Sequence, residues 1–363
     1  MNRGRQAILV LGMHRSGTSA LARLLNLCGA ALPEALVEAS PDVNAAGFWE
    51  SAELLALHDE ILAAAGGPWH DLRAFEPAWF EGAVAAGFRE RLMELLAHEY
   101  GDAPLLLVKD PRLCRLLPLW RPVLAEMGIE PLVVIPVRNP LEVADSLRER
   151  DGFGEGKTLL LWLRHVLAAE RDSRGVRRAF VSYEQVLADA PGVVARLGRE
   201  LGVDWPRAPE QRAAEMAGFL SPALRHHEHA TKDFLENAAV PWQVRDAYRW
   251  HIAAAGGGEP PGDVLDGIAA DLARAEPLYG AALAALEDQG RQRAAELRHW
   301  IDSAVERYDA IVQLRAFIEH QQREIDTLTA HARAIEGSLM WRALAPVRAA
   351  LRRLLRRRLR KQG

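Results

Sequence analysis

Residues 12–19 read Gly-Met-His-Arg-Ser-Gly-Thr-Ser and stand between an apolar run at 7–11 and a helical pattern at 19–28. A strand, a tight glycine-flanked loop and a helix start together direct backbone N–H groups at a phosphate. The spacing from Gly12 to Gly17 is that of the nucleotide-binding loop G-x-x-x-x-G-K-[ST], but Thr18 occupies the lysine position. That lysine contacts the β- and γ-phosphates in nucleoside triphosphatases. The loop therefore predicts a phosphate site whose cation is Arg15, and it disfavours a magnesium-bound γ-phosphate.

A second group of polar residues follows another apolar run. Arg138 comes directly after residues 133–137, Pro140 fits the first turn of the next helix, and Ser146 lies eight residues after the arginine. The planar fork of an arginine and a serine hydroxyl two turns into a helix can converge on one anion. Two phosphate sites on two strand–helix units suit a nucleotide that carries phosphates at both ends of its ribose.

Four apolar, strand-like runs alternate with helical stretches, at 7–11, 105–108, 132–137 and 179–181. This alternation predicts an α/β fold, a P-loop-type parallel sheet with helices on both faces, plus a C-terminal helical or coiled-coil extension. We expect four segments: a catalytic domain at 1–255, a helical linker at 256–290, a long helix at 291–337 and a basic tail at 338–363.

Together the two anion motifs resemble those of the sulfotransferase superfamily, over roughly residues 5–205. The resemblance implies 3′-phosphoadenylyl sulfate as sulfuryl donor, with no metal. Tyr183 lies in Val181-Ser182-Tyr183-Glu184, which resembles the segment after the family's next strand, whereas the R-K-G motif of cytosolic members is not evident. The implied donor contacts are Arg15, Ser16, Gly17, Thr18 and Ser19 for the 5′-phosphosulfate, and Arg138 and Ser146 for the 3′-phosphate.

The acceptor hydroxyl needs a base, and two residues compete for that role. Related sulfotransferases place a glutamate base shortly after the first helix, which points to Glu50; desolvation by Phe48 and Trp49 would raise its pKa into a useful range. The alternative for Glu50 is a carboxylate that caps the helix at about 52–65. His58 on that helix is the rival base, because cytosolic family members use histidine.

The run at 105–108 ends in Lys109, at the sheet edge where open α/β folds bind ligands. We expect Lys109 to stabilise the bridging or sulfuryl oxygens, and Asp110 and Arg112 either to position the acceptor or to form an ion-paired loop. A further cluster, His226, His227 and His229, lacks the cysteines or carboxylates of a metal site, so an acceptor contact is expected there and no metal.

Beyond residue 291, apolar residues follow a four–three spacing with one skip near 311–314, which favours a self-associating coiled coil over a helix packed back on its own domain. Residues 341–363 hold eight arginines and one lysine without an acid. With leucines between them, they predict a basic amphipathic helix for an anionic membrane face, the alternative being a partner-binding tail. Nucleic acid is not expected as a partner.

Two cysteines and the lack of an apolar run long enough to span a bilayer predict a cytoplasmic protein, peripheral on the inner face of the membrane. The tail pattern from Ser338 to Arg348 resembles S-x-x-W-R-x-x-x-P-x-R in bacterial enzymes that build surface polysaccharides. It favours a saccharide hydroxyl as acceptor. A protein tyrosine or a small phenol, a P-loop nucleotide kinase, and a non-catalytic scaffold remain as alternatives.

Overall fold

The computed structural model of the protein describes residues 4–40, 44, 46–220, 229–258 and 260–359. Its sheet has four parallel strands in the order β2-β1-β3-β4. Their bounds are β1 Gln6–Val10, β2 Leu105–Lys109, β3 Glu130–Val137 and β4 Arg177–Ser182. These are the four apolar runs of the sequence, and the predicted α/β fold with a parallel sheet is confirmed.

The strands are separated by helices. Those up to residue 172 are α1 Thr18–Leu27, α2 Ala52–Ala64, α3 Ala83–Tyr100, α4 Leu113–Glu126, α5 Pro140–Asp151 and α6 Glu155–Asp172. After β4 follow α7 Tyr183–Ala188, α8 Ala190–Leu201, α9 Ala213–Phe219, α10 Thr231–Glu236 and α11 Trp242–Ala255. Short 3₁₀ turns cover Pro77–Glu81 and Pro209–Arg212.

Helices cover both faces of the sheet because successive strand residues point to opposite sides. Ala7 and Leu9 of β1 pack in one buried cluster with residues of α2, α3 and α4. Their neighbours Ile8 and Val10 pack in a second cluster with residues of α1 and α8. Both faces of β1 are therefore apolar, which explains why it reads as a continuous hydrophobic run rather than an alternating one.

The strand order decides which loops meet. β1 lies between β2 and β3, so the loop after β1 is flanked by the carboxyl ends of those two strands. Gly12 begins that loop, and a Cβ atom there would lie 2.6 Å from Thr18 and 2.8 Å from Pro136 of β3. Only glycine lets the loop pass this close to its neighbours.

The C-terminal part of the chain is helical: α12 Asp263–Gly337, α13 Leu339–Ala343 and α14 Ala345–Leu359. The chain forms two compact units, one ending at Leu283 and one beginning at Ala284. In the first unit, Leu265 and Ile268 of α12 are buried against α6 and α11 residues. Helix α12 runs without a break through residue 290, where the sequence suggested a boundary between two segments. The division of the chain into the four predicted segments remains a prediction. None of the described helices is both long and apolar enough to cross a bilayer.

Candidate active site

The loop between β1 and α1 brings backbone N–H groups to the sheet edge. Gly17 is the N-cap of α1 with φ 82°, a left-handed conformation that suits glycine. The first-turn N–H groups of Thr18 and Ser19 have no intrahelical acceptor, and they lie at the positive end of the helix dipole. The N–H of Ser16 is different, because it donates to the carbonyl of Met13 at 3.1 Å. That amide closes the loop, and a contact between Ser16 and an anion stays a prediction.

Two residues other than glycine have a positive φ in the part of the chain that the structure describes: Arg15 at 66° and Trp49 at 58°. Such conformations cost of the order of 1–3 kcal/mol each and persist where the surrounding structure enforces them. Arg15 lies in the predicted phosphate loop, and Trp49 directly precedes the predicted base Glu50. Both deviations therefore fall in the two loops that carry the predicted chemistry.

The loop cation and the helix after β3 are directly connected. Arg15 Nε donates to Ser146 Oγ at 2.7 Å, and Arg138 Nη1 donates to the carbonyl oxygen of Arg15 at 3.1 Å. The sequence assigned Arg15 to one phosphate and Arg138 with Ser146 to another. In the structure these residues form one continuous basic strip, which follows from the neighbouring positions of β1 and β3.

Arg138 is almost fully buried and is held from two sides. Its Nε donates to Glu142 Oε2 at 2.7 Å, and its guanidinium carbon lies 4.7 Å from the centre of the Tyr183 ring. The same ring packs against the phosphate loop, since a Cβ atom on Gly17 would lie 2.5 Å from it. Arg138 Nη2 is buried and has no hydrogen-bond partner among the described residues, and neither has Ser16 Oγ.

In the basic strip, positively charged side chains lie close enough to affect one another. The pKa of Arg15 is lowered, first by burial and then by the neighbouring charges of Arg150 and Arg138. A guanidinium that is destabilised by other cations gains from an anion placed between them. The strip therefore favours a strongly negative ligand.

Beside the strip, at the end of β2, lies a buried ion pair. Lys109 Nζ donates to Glu50 Oε1 at 2.5 Å, to the carbonyl of Phe48 at 3.1 Å and to Ser19 Oγ at 3.2 Å. Glu50 Oε2 is buried without a hydrogen-bond partner in the described part of the chain. Desolvation raises the pKa of Glu50 despite the opposing effect of Lys109. The predicted base and the predicted catalytic lysine are thus in contact.

The loop before Glu50 is fastened by a residue that sequence reasoning missed. Asn44 Nδ2 donates to the carbonyl of Gly47 at 2.7 Å and to Ser19 Oγ at 3.4 Å. Asn44 so links the loop to the first turn of α1. An asparagine three residues before a glycine is the turn signal that was available in the sequence.

The rival base His58 has a different environment. Trp120 Nε1 donates to His58 Nε2 at 3.0 Å, so the proton lies on Nδ1, which donates to Asp110 Oδ2 at 2.8 Å. The ring has no exposed surface. Both nitrogens are engaged inside the protein, an arrangement that holds Asp110 and leaves no nitrogen for an acceptor hydroxyl.

Asp110 in turn fixes Arg112. Its Oδ1 accepts from the backbone N–H of Arg112 at 2.9 Å and from Nη1 at 3.1 Å. Burial alone would raise the pKa of Asp110, but Arg112 and His58 outweigh burial and hold it well below its usual range. Arg112 Nε also donates to Asp59 Oδ1 at 2.6 Å. The ion-paired arrangement considered for this loop is present.

Sequence reasoning also missed the aromatic wall beside the loop. The rings of His14 and Trp69 lie 4.1 Å apart, and burial, together with the charge of Arg150, lowers the pKa of His14 well below its usual value. His14 is therefore neutral at neutral pH. Trp69 is 55 residues away from His14 in the sequence, and no local pattern predicts the contact between the two rings.

The segment that begins at His229 borders the basic strip. His229 Nε2 and Asp145 Oδ2 are 2.8 Å apart, and the His229 backbone N–H donates to Glu142 Oε1 at 3.1 Å. His226 and His227 lie outside the described residues. In the described ranges, no three His, Cys, Asp or Glu side chains are grouped so that they could hold a metal ion.

Comparisons with known proteins give one family match. A sequence profile described as "Sulfotransferase family" matches residues 7–207, a range that runs from β1 past β4 and includes Arg15, Glu50, Lys109 and Arg138. No curated protein matches the chain.

Three solved structures are similar at low identity. A sulfotransferase domain from the curacin biosynthetic pathway is 14% identical, with 72% of this chain and 100% of that chain covered and a TM-score of 0.39. A sulfotransferase domain from the Synechococcus PCC 7002 olefin synthase is 17% identical, with 72% and 97% covered and a TM-score of 0.39. The sulfotransferase STF1 from Mycobacterium tuberculosis H37Rv is 17% identical, with 68% and 77% covered and a TM-score of 0.36. At these values the family assignment rests on the profile match.

Proposed function

Because the chain belongs to the sulfotransferase family, we propose that it transfers a sulfuryl group from 3′-phosphoadenylyl sulfate to a hydroxyl group of a saccharide. The observation that carries the donor assignment is the buried Nη2 of Arg138, which has no partner among the described residues. An unmet buried donor costs about 1–3 kcal/mol, and more when it is charged. A phosphate oxygen would satisfy it.

The residues present fit the donor's two anionic ends. We assign the 3′-phosphate to Arg138 and Ser146, and the 5′-phosphosulfate to Arg15 and the loop from Ser16 to Ser19. Tyr183, wedged between Gly17 and Arg138, holds both groups in place and adds an aromatic surface. The buried hydroxyl of Ser16, which also has no partner within the described residues, supplies a further donor.

When bound, the donor provides the sulfuryl group and a phosphate that takes up negative charge as that group leaves. The protein's part is to stabilise this charge in advance, through Arg15 and the positive end of α1. Lys109 is the cation in contact with Glu50, and we assign it to the oxygens of the transferred group. These positive groups are oriented before the reaction begins and need no rearrangement during it. For this reason such groups contribute much of an enzyme's rate enhancement.

We assign the base to Glu50. Its Oε2 is the carboxylate oxygen that Lys109 does not occupy, and it accepts the proton that the acceptor hydroxyl loses as its oxygen bonds to sulfur. A pKa raised by desolvation brings a carboxylate closer to the operating pH and makes it a better base. His58 then acts as a positioning residue through Asp110 and Arg112.

The saccharide class rests on the Ser338–Arg348 resemblance, and a protein tyrosine or a small phenol is the alternative acceptor. A transfer assay with sulfur-labelled donor and panels of glycans, tyrosine peptides and phenols decides between them. Label on glycans, lost in Glu50→Gln, is the expected result. Label only on peptides or phenols would contradict the saccharide proposal while leaving the donor assignment intact.

The P-loop kinase is disfavoured by Thr18 at the lysine position and by the family match. A kinase requires magnesium to bridge the β- and γ-phosphates. If a chelator abolishes nucleotide binding, the result would therefore support a kinase function. If nucleotide binding persists in the chelator, a kinase function is excluded.

We further propose that the basic tail binds an anionic lipid surface and that residues 291–337 self-associate. In the tail, Trp341 is covered by the guanidinium of Arg348, 3.8 Å from the ring centre. Apolar side chains at helical spacing are exposed beside the arginines: Leu344, Val347, Leu351, Leu354 and Leu355. An apolar stripe among cations is the pattern of helices that lie in a membrane interface.

A further inference from the structure

The second unit carries a long stripe of exposed apolar side chains in the part of that unit that the structure describes. Between Leu297 and Ile335, helix α12 carries large apolar side chains that are about half to two-thirds exposed. At 1.5 Å per residue this stretch is about 58 Å long. Lysine is absent from the stretch, and its arginines and carboxylates are nearly balanced in number. Two such helices would therefore not repel each other strongly.

The spacing of the apolar residues in the stripe indicates how a partner helix packs against it. Counting sevens from Ile311, the a positions of a heptad hold Ile311, Ile318, Ile325 and Ala332, and the d positions hold Leu314, Gln321, Leu328 and Ile335. β-branched residues at a with leucine at d favour two parallel strands. We infer that α12 pairs with α12 of a second copy of this chain as a parallel, in-register two-stranded coiled coil. The inference rests on the self-association proposed above and adds its strand number and direction.

Gln321 is the polar residue within these core positions, and it distinguishes the two directions. In a parallel, in-register pair it meets Gln321 of the second copy, and the two amides donate to and accept from each other. In an antiparallel pair that preserves the same layers it faces Ile325 instead. Its amide would then be buried without a partner, which destabilises the antiparallel pair.

The charged residues beside the core positions also favour parallel pairing. Glu324 occupies a g position beside the core, and in the parallel pair it faces Thr329 of the second copy. In the antiparallel pair it would face Glu324 of the second copy, a like-charge contact. His331 at the next g position faces Glu336 in the parallel pair, which is neutral or attractive.

In the N-terminal direction along α12, the apolar core positions continue through Leu297, Ile301, Ala304 and Tyr308. Two successive three-residue steps, from Tyr308 to Ile311 to Leu314, mark a stammer, which overwinds a coiled coil locally without ending it. Parallel pairing brings the two Gly337 residues together at one end. The two basic tails then start side by side, so that they bind one anionic surface bivalently and with higher avidity.

Sedimentation equilibrium of the full chain, followed by cysteine cross-linking, tests the inference. The expected mass is twice the 40.1 kDa of the chain. Leu328→Cys should form a disulfide between copies on mild oxidation, whereas the outward-facing Ala330→Cys should not. Cys28 and Cys114 have no exposed surface, and the unsubstituted protein supplies the background.

Three results would overturn the inference, and they are distinguishable. A single-chain mass means that the proposed self-association itself fails. A mass of three or more chains contradicts the strand number. A two-chain mass in which Leu328→Cys cross-links only when mixed with Ile318→Cys shows an antiparallel pair, because these two positions face each other only in that direction.

Discussion

At the scale of single residues, the two candidate bases differ in what surrounds them. Glu50 keeps one buried carboxylate oxygen that has no partner among the described residues, beside the cation Lys109. His58 has both ring nitrogens bonded, one to Trp120 and the other to Asp110. A base must present an atom to the proton that it removes. The surroundings of the two side chains, more than their chemical types, therefore favour Glu50 as the base.

We expect Glu50→Gln to lower kcat by about 10²- to 10⁴-fold, the usual contribution of a general base. The active form of Glu50 is deprotonated, and its pKa lies above the usual carboxylate value. In the unsubstituted protein, kcat/KM should therefore rise with pH through a limb that lies above that value. The variant should lose this limb. Glu53→Gln, on the exposed side of α2, is the control, and unchanged kinetics in Glu50→Gln would contradict the assignment.

His58→Asn tests the positioning role separately. Removing the imidazole leaves the indole N–H of Trp120 without an acceptor, so we expect a loss of about 1–3 kcal/mol in the free energy of unfolding. Activity should fall moderately, and the acid limb from Glu50 should keep its position. Loss of that limb in His58→Asn, measured from pH profiles of the folded variant, would instead make His58 the base.

At the scale of elements, the order of the strands explains the site. Lys109 ends β2, the phosphate loop follows β1, Arg138 follows β3, and Tyr183 follows β4. All four strands are parallel, so their carboxyl ends lie on one edge. Residues that are far apart in sequence, such as Arg15 and Ser146, come within 2.7 Å because β1 and β3 are neighbours.

Gly17→Ala should abolish donor binding. The added Cβ atom would lie 2.5 Å from the Tyr183 ring, at a residue whose φ of 82° disfavours any side chain. The loop and the ring cannot both keep their places. Gly156→Ala is the matched control, because nothing lies within 4 Å of a Cβ atom there. Calorimetric titration with adenosine 3′,5′-bisphosphate gives the readout, and normal affinity in Gly17→Ala would show that this packing does not matter.

The sequence predicted these elements better than their contacts. Apolar runs and glycine spacing predicted the four strands and the loop, because both signals are local. The bond between Arg15 and Ser146 depends on strand order, which no local pattern contains. The same holds for the hydrogen bond from Trp120 to His58 and for the ring contact between Trp69 and His14. In each case the two residues are far apart in the sequence. The contact between Arg138 and Glu142 could have been predicted from the sequence, because the two residues are four positions apart and a helix begins between them.

At the scale of the whole molecule, the chain combines a unit that carries the site with a helical unit whose described side chains are almost all exposed. The exposed apolar stripes of α12 and of the tail are unusual for an isolated protein, since contiguous apolar surface normally marks an interface. A second copy and a lipid surface are the two partners that we propose for them.

Deleting residues 338–363 should release the protein from vesicles that contain anionic lipid and leave donor binding unchanged. The apolar stripe and the arginines contribute together, so Leu351→Gln with Leu354→Gln should weaken binding, whereas Ala349→Gln on the other side of α14 should not. Vesicle co-sedimentation at low and moderate salt measures this. Retained vesicle binding after the deletion would contradict the proposed role of the tail.

The most direct test of the central claim is calorimetric titration of the full chain with adenosine 3′,5′-bisphosphate in EDTA, for the unsubstituted protein, Arg138→Ala, Arg138→Lys and the surface control Arg91→Ala. Hydrogen bonds to charged groups contribute about 1.5–3 kcal/mol, so the loss of the Arg138 fork should weaken binding about 10- to 100-fold. Arg138→Lys keeps a charge beside Glu142, and thermal unfolding separates lost binding from lost folding. Tight binding without metal that is weakened in both Arg138 variants is the predicted result. No binding to the unsubstituted protein, or equal binding to all four, would contradict the assignment of this site to the sulfuryl donor.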